Sequence, residues 1–552
     1  MNTITIRRLV QSSVYLLSLC LSTGTLAQNV KNYTQIDALH YTFDLTISDD
    51  NDKIIGKVNV LFRNKKESLE TTYLDLNNTN EENKGMSVSQ VLLNDKELTF
   101  MHRDGRLQFS FNEPLPSSYV GTLTINYEGV PADGLVISKN EYGERTFFGD
   151  NWPNRAQYWL PTVDHPSDKA TCEFIIKSPQ NYKVIANGTL REESFTGFSS
   201  DSPQKLTHWV MSQPIPTKVM VFGAARFAVL YDQEVNGISI QHWVYADNRD
   251  TAFKDFEPTA NVLTYFLNRI GPYPYEKLAN VESKTRYGGM ENASNIFYNE
   301  QAVDGDQSIE ALIAHEVAHQ WFGNSVSEKS WEHVWLSEGF ATYMTHTYIE
   351  HTYGSDSLNK LLQADKNKIF NYFQKAPDEP VVNENQDNLY QILNANTYQK
   401  GAWFLHMLRL EVGDKYFWEG ISKFYDRYKF SKANTDDFRK VIEEVSSQEL
   451  SNLFSLWLNT PGHPILKGNW KYSGMGKKAK INLEQVQNNN VLYELPLEIG
   501  IYYPDKIEPE IHTIAMNKKV ASFTLKLANK PTNLVIDPFS KILVDSQLFT
   551  NR

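Results

Sequence analysis

The sequence predicts a multidomain α+β protein, with β-structure at both ends and a more helical middle. Three observations carry this. Period-two alternation of apolar residues recurs from residue 28 to about 230, which reads as an N-terminal β-sandwich-like domain. Helical periodicity dominates the later part of 231–463, and alternation returns over 464–552 as a small C-terminal β-sandwich. A chain of 552 residues with 41% hydrophobic and 12% aromatic residues can bury several cores, as three domains require.

The first 27 residues stand apart from these domains. Arg7 and Arg8 precede a mostly apolar run from Leu9 to Leu21, and Thr25-Leu26-Ala27 offers small residues at the −3 and −1 positions of a cleavage site. This is the pattern of a secretory signal peptide over 1–27, and it predicts an exported protein, periplasmic or extracellular. Removing two arginines and no acid takes the formal charge from −12 to −14. No basic block offsets that charge, so nucleic acid is not an expected partner, and nothing beyond the leader is apolar enough for a transmembrane helix. Cys20 leaves with the leader. Cys172, in the apolar stretch ATCEFII, then reads as a buried strand residue without a disulfide partner.

The β-pattern starts with Tyr41, Phe43, Leu45 and Ile47 on one face, followed by Val58, Val60 and Phe62 after an Asp/Asn-rich turn. Later segments include Leu123 to Tyr127 and Lys183 to Ala186 before the Asn187-Gly188 turn. From about Gly237 a strand pair leads into a helical run from Pro258 to Leu267. In TRYGGMENASNIFY, Thr285 to Tyr298, Gly288 and Gly289 allow another backbone to come close, and the alternation after them suits an edge strand. A glutamate such as Glu291 on an edge strand also deters aggregation. Asn292-Ala293-Ser294 is formally a glycosylation sequon.

The most informative stretch is Ile313 to Ser327, IAHEVAHQWFGNSVS. His315 and His319 are four apart, so on a helix they lie about 40° apart on one face and can reach one metal ion. Glu316 lies roughly 100° round from His315, outside that ligand pair but placed to hydrogen-bond a water on the ion as a general base. The apolar surround of Ile309, Leu312, Ile313, Val317 and Trp321 implies burial, and buried histidines need partners. With only 13 histidines in the chain, a chance match to this pattern is rare. A catalytic zinc takes three protein ligands and leaves one position open. The metzincin pattern requires glycine and histidine where this chain has Phe322 and Ser325, so the third ligand lies elsewhere. Glu338, in WLSEGFATY at the start of a second amphipathic run to Gly354, completes a thermolysin-type His2Glu set. Glu332 competes on distance but falls in the inter-helix turn. The middle domain is therefore read as a thermolysin-like zinc catalytic domain with one Zn2+.

HEVAHQWFGN, with eighteen residues between His319 and the glutamate of WLSEGFATY, resembles the aminopeptidase N (alanyl aminopeptidase) family of gluzincin zinc metallopeptidases, which also contains the bifunctional leukotriene hydrolase. Gly288-Gly289-Met290-Glu291-Asn292 resembles that family's Gly-x-Met-Glu-Asn motif. The resemblance implies that these residues bind substrate, pairing with its backbone, and that Glu291 holds its free α-amine. TYQKG, about sixty residues beyond Glu338, resembles the segment whose tyrosine contacts the tetrahedral intermediate, which makes Tyr398 that residue. NWPNRAQYWLPTVDHPSDKAT, Asn151 to Thr171, resembles the segment of the N-terminal domain that sends a side chain to the cleft. The family's usual glutamine has no counterpart there, leaving Asp150 or Asn151 as replacements. Helices are expected to about Trp457, with Trp403, Met407 and Leu410 at helical spacing and NTPGHP, Asn459 to Pro464, ending them. The resemblance also leads to the expectation of a short member, without the large helical domain that others often carry.

The activity that the resemblance implies is that of an aminopeptidase acting on peptides with a free N-terminus, with Glu316 and Tyr398 as catalytic residues. A thermolysin-type endopeptidase shares the zinc site but has no use for an amine anchor. A noncatalytic zinc-stabilised peptide-binding protein has no need of Glu316, and an epoxide hydrolase like the leukotriene enzyme carries a helical C-terminal domain. Preferred side chain and oligomeric state are not legible.

Overall fold

The computed structural model describes residues 35–196, 203–384, 388–489 and 491–550. The expected signal peptide, 1–27, lies outside the described residues. By its contacts the chain forms two compact units, one running to Ser337 and including Ser422–Asn434, the other made of Glu338 onward except for that return and the short stretch around 388–390.

In the first unit the alternating N-terminal segments form an eight-stranded sheet. Its centre pairs Ile36–Thr46 antiparallel with Ile54–Asn64 and parallel with Lys169–Pro179. Apolar residues occupy the even positions Ile36 and Ala38, then the odd positions Tyr41, Phe43 and Leu45, and all five are buried. The phase changes because the register shifts between Ala38 and His40, where one extra residue turns the strand over. A three-stranded sheet, Ser68–Asp75, Arg106–Pro116 and Thr99–Arg103, and a four-stranded one containing Lys183–Ala186 and Phe222–Ala225 complete this all-β region. Cys172 is buried in strand Lys169–Pro179, and burial raises its thiol well above the ordinary range, so it sits as an inert packing residue.

A five-stranded sheet comes next, ordered Phe227–Val235, Ile238–Tyr245, Lys277–Ser283, Asn295–Asn299, Gly289–Met290. Its first strand starts at Phe227, close to the boundary expected at about 230. Phe227 is paired with Tyr245, so residues 227–230 already belong to this sheet. Its last strand is the short Gly289–Met290 edge, antiparallel to Tyr298 and Phe297. Helices α1 (Arg249–Asp255) and α2 (Thr259–Arg269) precede the third strand, and α3 (Glu310–His319) comes after the edge.

Buried lysines fasten the all-β region to the segment after α3. Lys169 Nζ donates to the carbonyls of Asn324 and Ser325 at 2.9 and 2.6 Å, and Lys218 Nζ lies 2.7 Å from Glu328 Oε1. The Lys218 and Glu328 side chains are 1% and 0% exposed, so each ion relies on the other in place of water.

Helix α4 (Trp335–Tyr353) begins at the junction of the two units. The second unit continues with α5 (Ser355–Phe373) and α6 (Gly401–Val412). Trp403 and Met407 are buried, but Leu410 is 47% exposed, so the apolar stripe of α6 is narrower than its spacing suggests. The helical segment ends in a π-turn at Ser455–Asn459. Seven strands then form a four-stranded and a three-stranded sheet, the expected C-terminal sandwich. His406 couples it to α6, donating from Nε2 to the Ser540 carbonyl at 3.1 Å and facing the Tyr343 hydroxyl through Nδ1 at 3.2 Å. No helix among the described residues is long and apolar enough to cross a membrane.

The Lys218–Glu328 pair predicts a large one-sided effect. Glu328→Gln strands a buried ammonium and should cost about 3 kcal/mol of unfolding free energy, whereas Lys218→Met with Glu328→Leu should recover most of it. Urea denaturation at unchanged m-value is the check, and an unmoved midpoint in Glu328→Gln refutes the assignment.

Candidate active site

Helix α3 carries His315 and His319 one turn apart, as the spacing requires. Their rings meet nearly at right angles with centroids 4.7 Å apart, and the two Nε2 atoms stand 3.2 Å from each other. His319 Nδ1 is 3.1 Å from the Phe322 carbonyl and 3.1 Å from Ser337 Oγ. A carbonyl only accepts, so Nδ1 carries the hydrogen and Nε2 keeps its lone pair. Two imidazole nitrogens converging with the second fixed as an acceptor fit a bound metal ion, and the orienting bonds are of the kind that hold ligating histidines. Gly323, at φ 116°, makes this possible: a Cβ there would run into Ser337 Oγ and lie 3.0 Å from His319 Nδ1.

Glu316 is buried on the next face of α3, against the edge strand. A Cβ on Gly289 would overlap its carboxylate, at 2.6 Å from both Cδ and Cγ. Gly289 is thus where the strand needs its missing side chain. At Gly288 the space is more open, since a Cβ there meets only Leu312, at 3.9 Å. Its contribution is a carbonyl accepting from Asn299 N at 3.0 Å. Met290 is buried and paired with Phe297.

Polar atoms of Glu291, Glu316 and His319 lie within 4.8 Å of one another, and all three residues are buried. Two carboxylates so close in a poorly hydrated site repel unless cations face them. A metal ion and a substrate ammonium are cations of the kind such a site takes. Tyr298, paired with Gly289 across the ladder, is pushed well above the ordinary tyrosine range by burial and by the Glu316 charge, so its hydroxyl stays protonated.

The main chain of Glu291 is held by side chains that the sequence pattern leaves unassigned. Gln320 Nε2 and Asn324 Nδ2 both donate to the Glu291 carbonyl, at 2.9 and 2.6 Å, and Gln320 Oε1 accepts from Ser294 N at 2.9 Å. Both amides are fully buried. Their position, one and five residues after His319, offered a signal, since amides in a buried stretch that follows a largely apolar helix need partners. Asn292 has no exposed surface, which rules out a glycan at the sequon.

Neither replacement for the missing cleft glutamine is available. Asp150 pairs with Arg155 at 2.6 Å and lies 3.6 Å from the Arg286 guanidinium. The Asn151 amide donates to the carbonyls of Thr217 and Met220 and accepts from Trp159 Nε1. Both are buried structural residues rather than solvated or cleft-facing ones. Glu332 lies on a single 3₁₀ turn, Trp331–His333, 3.7 Å from His333, in the expected inter-helix position.

In the second unit, Glu338 is buried in the first turn of α4, directly after Ser337. The next residue, Gly339, packs on the segment that bears Tyr398: a Cβ on Gly339 would lie 3.0 Å from Gly401 Cα and 3.1 Å from the Thr397 carbonyl. Tyr398 sits within a π-helical turn, Asn396–Lys400, rather than a regular helix start. Such turns are uncommon and often occur at functional sites. Lys400 anchors the turn by donating to the Gly462 carbonyl at 2.8 Å, and burial pushes its amine down to about 7.

The fold thus brings two converging imidazoles and a buried carboxylate together beside a short sheet edge. Residues 255–457 match the peptidase family M1 domain and residues 37–219 the peptidase M1 N-terminal domain, which together span more than half of the chain. The chain belongs to peptidase family M1. It is 25% identical over 440 residues to the probable aminopeptidase 2 of Sulfurisphaera tokodaii, covering 76% of this chain and 54% of that protein. It is 26% identical over 457 residues to the glutamyl aminopeptidase of Bitis rhinoceros, covering 78% of this chain and 47% of that protein. The chain thus spans about half the length of the curated relatives it matches. An M1 zinc metallopeptidase mutant from Deinococcus radiodurans shares the fold, with a TM-score of 0.65, 22% identity and coverage of 79% of this chain and 95% of that one.

The contact between Gly289 and Glu316 makes a direct prediction. Gly289→Ala should turn the carboxylate away and lower kcat by about 100-fold, the scale of a lost general base, while bound metal stays at wild-type level. Steady-state kinetics with metal analysis tests it, and a kcat within about twofold of wild type removes Gly289 from the site.

Proposed function

We propose that this chain is a zinc aminopeptidase that hydrolyses the N-terminal peptide bond of peptides. The observation that carries the reading is the cluster of Glu291, Glu316 and His319, which supports an amine-binding role for Glu291 next to Glu316 as base and His319 as ligand. The peptidase M1 match and the names of the relatives support the same activity. His315, His319 and Glu338 would hold one zinc ion. When bound, zinc supplies Lewis acidity, lowering the pKa of a coordinated water and polarising the scissile carbonyl.

Glu316 takes the proton of the attacking water and returns it to the departing amine. Its burial and its packing against Gly289 support this role. Tyr398 donates its hydroxyl hydrogen to the charge that develops on the carbonyl oxygen. The Gly289–Met290 edge offers main-chain hydrogen bonds to an extended peptide, and Asn292 closes the turn after it. Glu291 pairs with the α-ammonium and so fixes which bond is cut. Export to the periplasm or the extracellular space is part of this reading, supported by Arg7-Arg8, the apolar run and Thr25-Leu26-Ala27.

The ligand assignment predicts that alanine at His315, His319 or Glu338 removes zinc, while Glu332→Ala retains it and Glu316→Gln retains it with kcat lowered by several orders of magnitude. Metal analysis of the purified variants decides this; full zinc in Glu338→Ala sinks the third ligand. Tyr398→Phe should lose about 2–4 kcal/mol of transition-state stabilisation.

The amine anchor decides the class of peptidase. Glu291→Ala should lower kcat/KM for free-amine substrates by about 2–4 kcal/mol, while N-acetylated substrates are poor for both proteins. Comparison of the two substrate types by kinetics is the test. Internal cleavage of acetylated peptides as fast as free ones replaces the aminopeptidase reading with a thermolysin-type endopeptidase.

A further inference from the structure

The loop after Glu291 is held from a second side. Ser294, at φ 65° and without exposed surface, accepts through Oγ from Gly188 N at 2.9 Å and from Lys277 Nζ at 3.0 Å. Lys277 Nζ also donates to the Ala186 carbonyl at 2.9 Å and to Asn295 Oδ1 at 3.2 Å. Three acceptors match the three hydrogens of an ammonium. The Trp209 ring lies 4.8 Å from the same nitrogen, and Asn187 Nδ2 donates to the Ala293 carbonyl at 2.7 Å. The all-β region thus reaches the Glu291–Ser294 loop through Ala186, Asn187 and Gly188, and the lysine closes the gap between them.

An ammonium buried to 3% exposure is expensive, and an apolar side chain of the same length could fill that space against Trp209. Burial pushes Lys277 down to about 7, with Glu276 acting against it, which reflects that cost. What the lysine provides that methionine cannot is directional bonding to the loop that presents Glu291. Gln320 links the two ends of this loop, bonding the Glu291 carbonyl and Ser294 N, so a displacement of Ser294 is passed to Glu291.

We propose that Lys277 is a positioning residue for the amine anchor, fixing Glu291 through Ser294 against the Ala186–Gly188 turn of the N-terminal β-domain. This rests on the reading of Glu291 as the carboxylate that binds the substrate α-ammonium. Lys277 touches neither substrate nor metal ligands, so its effect belongs in substrate binding rather than in proton transfer.

The test is a double-mutant cycle in the full chain with an aminoacyl reporter substrate. Lys277→Met should raise KM about 10-fold and keep kcat within about twofold, with zinc content unchanged. In the Glu291→Ala background the same substitution should change KM less than about twofold, because the anchor it positions is gone. Ser294→Ala should repeat both results, and it carries the test if Lys277→Met does not fold. A KM effect of about 10-fold that persists in the Glu291→Ala background overturns the proposal, as does a fall in kcat at constant KM or no effect from either variant. Failure of Glu291→Ala itself to weaken free-amine substrates would instead refute the underlying reading, so the two failures are distinct.

Discussion

The Glu291 carbonyl receives two side-chain amides from the same short segment that carries the histidines, and the geometry of the site depends on that pair of bonds. A sheet edge two residues long has little pairing of its own to hold it. Gln320 and Asn324 supply what the ladder cannot, and they are covalently fixed relative to His315, Glu316 and His319. The placement of Glu291 relative to Glu316 is thereby tied to one stretch of chain. Neutral amide donors suit the task, since a further charge in this space would disturb two carboxylates already close together.

The same constraint explains what the N-terminal β-domain contributes. The turn after α3 is buried, so its carbonyls need donors other than water. Lys169 supplies them to Asn324 and Ser325, and Asn324 in turn holds Glu291. Burial keeps the Lys169 amine well below the ordinary lysine range, with Glu328 opposing that shift. The all-β region therefore supports the metal-site segment through buried charge and hydrogen bonding as well as apolar packing. Its Asn151, read from sequence as a cleft residue, belongs to this supporting role: its amide secures the carbonyls of Thr217 and Met220.

Legibility in the sequence tracks the range of each interaction. His315, Glu316 and His319 obey a helical period, and alternation marks the strands around Phe43 and Val58, because both signals are local. The phase change at Ala38 to His40 is not legible, since a bulge is defined by the partner strand. The role of Gly289 is half legible. A glycine on an edge announces close approach, but that Glu316 packs against it depends on packing between residues far apart in the chain. Gln320 and Asn324 escape notice for the same reason, and the π-turn at Tyr398 has no periodicity of its own to read.

The start of α4 shows how much a single turn can settle. Successive residues on a helix point about 100° apart. Ser337 faces His319 Nδ1 and helps fix that imidazole, while Gly339, two residues on, is pressed against Thr397 and Gly401 beside Tyr398. A side chain at position 339 would push this turn away from the segment bearing Tyr398. Gly339 therefore lets this part of α4 lie close to the π-turn that bears Tyr398, within the second unit.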